Sequence, residues 1–134
     1  MAGHQDMREV RERAAAGDAR AVLARDVYAY RIRAYIGSYL ANLPAVTALV
    51  FTAGIGEHDA DLRAEVCEPL AHLGIRIDSA RNAQAGSGVR AVDDGTGPIR
   101  ILVVPTNEEA EIARLAASAA SGVAGEGGQV GPGE

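Results

Sequence analysis

Two short runs of β-branched and apolar residues, each passing through a turn into a helical pattern, constrain this chain more than anything else in it. Val46 to Thr52 leads into Ala53-Gly54-Ile55-Gly56-Glu57, and Ile99 to Val104 leads into Pro105-Thr106-Asn107. Runs of this length and composition read as strands. Strands alternating with helices give an α/β layout in which helices pack on a small sheet.

The other elements are placed by periodicity and punctuation. Residues 6–16 read as a short charged helix stopped by Gly17-Asp18, and residues 18–43 as a long helix ended by Pro44. Two apolar rows run along the long helix. One is Leu23, Val27, Tyr30 and Ala34; the other is Tyr28, Ile32, Tyr35, Tyr39 and Leu43, so burial on more than one side is expected. A helix over residues 59–73 carries Leu62, Val66, Leu70 and Leu73, with Gly74 as its stop. Ile75 to Ile77 and Val89 to Val92 read as brief strands within an otherwise irregular stretch over 79–98. The last helix is expected over 107–120, with Thr106 and Glu109 at capping-box spacing. Residues 121–134 hold six Gly and one Pro and are expected to be a disordered tail after a domain spanning 1–120.

Composition removes several functions. All 13 basic residues are arginine, so neither a Walker-type phosphate loop nor a Schiff-base enzyme is available. A net charge of −5 without a basic run argues against nucleic acid or an anionic membrane as partner. The lone Cys67 rules out an internal disulfide and suits a reducing cytoplasm; it reads as a packing thiol. No window reaches 18 consecutive apolar residues, and a cytoplasmic location is expected.

Three segments could carry chemistry. Gly54-Ile55-Gly56-Glu57 stands at a strand-to-helix turn, where α/β sheets bind nucleotides, although the same turn also serves as a plain connection. Glu108 and Glu109 open a helix, where carboxylates are ordinary dipole partners; Glu108 is also suited to a magnesium ion near phosphates. Asp6-Met7-Arg8 holds an arginine that could form a surface pair, stack on a base or fork onto phosphate oxygens.

The blocks Asp6 to Val10, Tyr30 to Ile32 with Tyr35 to Gly37, Val50 to Glu57, Leu73 to Ile75, and Val104 to Glu109 with Ile112 to Arg114 occur in one order. In that order they resemble the C-terminal part of acetate kinase, over residues 5–117. The resemblance implies an incomplete ribonuclease-H-like domain of the actin-like ATPase and sugar kinase superfamily. It implies transfer of a phosphoryl group between ATP and acetate, giving acetyl phosphate and ADP with Mg²⁺; propionate and butyrate kinases share parts of the pattern. It implies nucleotide contact by Asp6, Met7, Arg8, Gly54, Ile55, Gly56, Glu57 and His58, where the family usually has Asn at the last position. It implies a magnesium ligand at Glu108 and a homodimer. The family draws its acceptor pocket and catalytic side chains from regions outside this resemblance, so no catalytic residue is assigned and turnover by this chain alone is not expected. A split enzyme needing an N-terminal partner, a non-catalytic nucleotide-binding or dimerisation fragment, and a decayed remnant are the alternatives.

Overall fold

The computed structural model describes residues 6–124, and within the last helix the side chains of residues 113–122 only. Two helices come first: α1 (Met7–Ala15), capped by the Asp6 carboxylate on the Arg8 N–H, and α2 (Ala19–Asn42), capped by Asp18 on Arg20 and Ala21. Gly17 joins them at φ +88°, a left-handed turn that glycine enters without steric cost. Arg13 and Asp18 close the turn through a charge-assisted bond from Arg13 Nε at 2.9 Å.

Strand β1 (Ala48–Phe51) pairs in parallel with β3 (Arg100–Val103), and β3 pairs antiparallel with the two-residue β2 (Arg90–Ala91). The order β1-β3-β2 makes a small mixed sheet. Leu49 stands beside Ile101 and Phe51 beside Val103, so these four side chains share the inward face. Ala48 and Arg100 lie on the other, exposed face with Val50, so β1 is half-buried rather than fully buried as its apolar run suggests.

Helices from three segments cover the inward face. Ala29 and Ile36 of α2, Leu62, Val66 and Cys67 of α4 (Ala60–Cys67), and Leu70 pack with Ile75, Val92, Ile99, Ile101 and Val103 into one core. Which side of α2 faces that core is opposite to part of the expectation. The buried residues are Ala21, Arg25, Ala29 and Ile36, while Leu23 at 63% and Tyr30 at 65% exposure point to solvent with Val27. Ala29 lets α2 approach the core closely, while Ala21 is buried on the side that meets Val10 of α1.

The helix expected over 59–73 is two pieces, and a further short helix precedes them. A six-residue helix α3 (Ala53–His58) replaces the glycine turn, α4 follows, and Glu68–Leu73 winds as a 3₁₀ segment with Pro69 near its start. Three residues per turn changes the phase of the stripe, so Leu62, Val66 and Leu70 are buried and Leu73 is exposed. Gly74 stops the segment at φ +89°, and a Cβ there would meet the Pro98 ring at 2.9 Å. Ile75 and Ile77 form single bridges to Ile99 and Asp93 rather than a strand, and a one-turn helix α5 (Ser79–Ala83) interrupts the stretch expected to be irregular. The final helix α6 (Glu108–Ala124) runs four residues past its expected end and past the boundary placed at residue 120. An alanine-rich sequence favours this, and Ser121 bonds back to the Ala117 carbonyl at 3.0 Å. The tail beyond it lies outside the described residues.

Candidate functional site

Parallel pairing puts the exits of β1 and β3 at the same end of the sheet, which is where open α/β sheets take ligands. The two exits are tied together. Thr52 and Thr106 share a hydroxyl–hydroxyl bond of 2.6 Å, and Thr106 Oγ1 accepts the Ala53 N–H at 3.0 Å. Ala53 has φ +62°, a left-handed conformation that costs a residue with a Cβ about 1 kcal/mol or more, and this bond helps to hold it. The Thr106 N–H is accepted by Glu57 Oε1 at 2.6 Å, a carboxylate supplied by α3. The Glu109 side chain lies outside the described residues.

Beside this junction lies an open cleft of about 690 Å³, lined by Asp6, Met7, Arg8, Arg11 and Glu12 of the α1 segment and by Gly54, Ile55, His58 and Asp59. Its size falls within the range of roughly 300–1,000 Å³ found for small-molecule sites. The fold therefore brings Asp6, Met7 and Arg8 together with Gly54, Ile55 and His58 across more than forty residues of sequence. Gly56 and Glu57 turn the other way. A Cβ on Gly56 would stand 3.3 Å from the Phe51 carbonyl carbon, so that glycine serves packing against β1. At Gly54 a Cβ would meet nothing within 4 Å, which leaves this backbone open to a ligand. Glu57 is committed to Thr106 and lines a smaller hollow with His58, Arg63, Asn82 and Arg90. Glu108 begins α6 just beyond the same strand ends, and its side chain lies outside the described residues.

Charge around the cleft is set by residues that sequence patterns did not single out. Asp59 is 6% exposed; it caps α4 through the Leu62 N–H at 2.9 Å and receives both Nη atoms of Arg25 at 3.2 and 3.3 Å. Arg25, 8% exposed, also gives its Nε to Glu65 at 2.7 Å. Burial pulls the Arg25 pKa down, but the bonds to Glu65 and Asp59 outweigh that and leave it above the ordinary arginine value. With Asp59 paired to Arg25 from behind, the cleft presents Arg8 and Arg11 together with the carboxylates of Asp6 and Glu12. An arginine flanked by alanines at i−4 and i+4, as Arg25 is by Ala21 and Ala29, was the available signal for a buried charge. Cys67 is fully buried and its thiol is pushed up to about 12 by burial, so it is an inert packing residue.

A family model, that of the acetokinase family, matches residues 1–114. The chain belongs to the acetokinase family. Acetate kinase from Leifsonia xyli is 53% identical over 116 residues, covering 87% of this chain and 29% of that protein. Among solved structures, the chain is similar to acetate kinase from Porphyromonas gingivalis, with a TM-score of 0.74 and 37% identity over 81% of this chain and 27% of that one. It is also similar to a propionate kinase from Francisella tularensis, with a TM-score of 0.70 and 38% identity over 80% of this chain and 27% of that one. The chain thus spans between a quarter and a third of the length of these relatives. Its mixed sheet and helices are part of the actin-like ATPase fold of the acetate kinases. Among the described residues no helix is long and apolar enough to cross a membrane.

Proposed function

We propose that this chain is the nucleotide-holding part of a phosphotransferase of the acetate kinase type, with ATP or ADP seated in the cleft between α1 and α3. One observation carries the reading: Asp6, Met7 and Arg8 close on Gly54, Ile55 and His58 at the carboxyl ends of parallel strands. In this reading Arg8 and Arg11 face the phosphates or stack on the base, as guanidinium groups do. The open backbone at Gly54 lets the ligand approach closely. His58 offers ring nitrogens for polar contact where the family usually has an amide.

The same reading gives Mg²⁺ a ligand in Glu108. Such a cation is held by one or two carboxylates together with substrate phosphates. Glu108, the first residue of the helix that follows β3, opens α6 at the end of the sheet where the cleft lies. When bound, the cation neutralises charge on the phosphates being transferred. The acceptor, acetate or another short carboxylate, would be positioned by parts of the kinase type outside the quarter to a third that this chain spans. The outward row of α2, with Leu23, Val27 and Tyr30, favours packing against such a region or a second copy of the chain, as in a homodimer. A cytoplasmic setting suits this chemistry.

Trapping acetyl phosphate as the hydroxamate tests the reading. The chain is assayed alone and mixed with the separately expressed N-terminal region of an acetate kinase. Product in the mixture and none from either part alone is expected. A folded mixture that stays inactive contradicts the phosphotransferase reading.

A further inference from the structure

We propose that Arg63 is a positioning residue that fixes the cleft wall carrying Gly54, Ile55 and His58; the inference rests on the nucleotide reading of the cleft. Arg63 is 2% exposed, and its guanidinium reaches two separate segments. Nη1 donates to the carbonyls of Gly56 at 2.8 Å and Glu57 at 2.9 Å. Nε donates to Asn82 Oδ1 at 2.7 Å, and Nη2 to the Asn82 carbonyl at 3.0 Å. Asn82 is itself buried and held by a bond from its Nδ2 to the Ala60 carbonyl at 2.7 Å.

This arrangement answers a problem posed by the length of α3. A six-residue helix has almost no stability of its own, and its last carbonyls have no partner within the helix. The Asp59 N–H takes the Ile55 carbonyl at 3.0 Å, and Arg63 takes the next two. Gly56 and Glu57 face the anchor while Gly54, Ile55 and His58 face the cleft, so the orientation of the ligand-facing side depends on the anchored side. Lysine cannot reproduce this grip. Its ammonium is a point charge on a flexible stem, whereas the guanidinium fork holds donors at fixed angles to both segments.

The experiment compares the full chain with Arg63→Lys and Asn82→Ala, reading amide hydrogen exchange and the affinity for Mg-ADP in folded protein. Expected in both variants is at least tenfold faster exchange at residues 55–58, with Val92 and Ile101 still protected, and a Kd for Mg-ADP raised at least tenfold. A purely structural role would lower the melting temperature and leave the Kd of the folded protein unchanged, and that result overturns the proposal. So does unchanged exchange at 55–58. If Arg63→Lys does not fold, Asn82→Ala decides by the same two readings. Failure of the unsubstituted chain to bind Mg-ADP overturns the nucleotide reading and this inference with it, and is told apart because the exchange effect would persist.

Discussion

Replacing Gly54 and Gly56 separately by alanine should give opposite results, although the two residues are two apart in a six-residue helix. At Gly54 the added methyl meets no protein atom within 4 Å. Alanine there gains helix propensity over glycine, about 0.5–1 kcal/mol. At Gly56 the methyl would stand 3.3 Å from the Phe51 carbonyl carbon and 3.5 Å from its Cβ, on a strand that cannot move aside. Overpacking of this kind costs about 1–3 kcal/mol, more than the propensity gain. Urea unfolding should therefore show Gly54→Ala as stable as the unsubstituted chain or slightly more so, and Gly56→Ala less stable. Calorimetric titration with Mg-ADP should show the reverse emphasis: Gly54→Ala loses affinity tenfold or more, about 1.4 kcal/mol, because the methyl occupies cleft space. Unchanged affinity in Gly54→Ala would refute close approach of the ligand to that backbone. A greater loss of stability at 54 than at 56 would refute the packing argument.

Two further substitutions probe the frame behind the cleft. Arg25→Met should destabilise the fold by roughly 3–5 kcal/mol in urea unfolding, because it leaves the buried Asp59 carboxylate without its cation. Arg25→Met combined with Asp59→Asn should recover part of that loss, and a single-variant effect under about 1 kcal/mol, the value of an exposed pair, would contradict the burial argument. Asp93 reports on acid stability. Burial raises its pKa, but the Ile101 N–H and Arg100 outweigh burial and hold the carboxyl below its ordinary value. A folded pKa below the unfolded one adds stability that is complete above the ordinary carboxylate pKa of about 3.9 and fades as pH falls through the lower folded value. Asp93→Asn should therefore lose stability at pH 7 and show a flatter decline below pH 4 than the unsubstituted chain, measured by thermal unfolding across pH.

Local signals were legible where physics is local. Asp6, Asp18 and Gly74 mark helix ends by their own hydrogen bonds and backbone angles, and each stands where its sequence context places it. The two β-branched runs gave the parallel pair, and parallel pairing alone puts the Gly54 turn and the Glu108 helix start at one end of the sheet. Periodicity marked rows on α2 but not which row packs, since that depends on how closely Ala29 lets α4 approach. Helix α3 was hidden because two glycines in six residues have no helical propensity; its stability comes from Arg63 and Glu57, through bonds to Asn82 and Thr106. The Arg25–Asp59 and Arg63–Asn82 pairs join positions 34 and 19 residues apart, and no short window contains either. Arg11, Glu12 and Asp59 joined the cleft only once α1 was folded against α3.

The central claim is that the segments at Asp6–Arg8 and Gly54–His58 share one nucleotide cleft. Amide chemical shifts of the labelled chain, followed during titration with Mg-ATP, test it directly. The account predicts saturable shifts concentrated at residues 6–12 and 53–59. A folded spectrum that does not respond, or shifts centred on Gln84 to Arg90 and absent from those two segments, would contradict it.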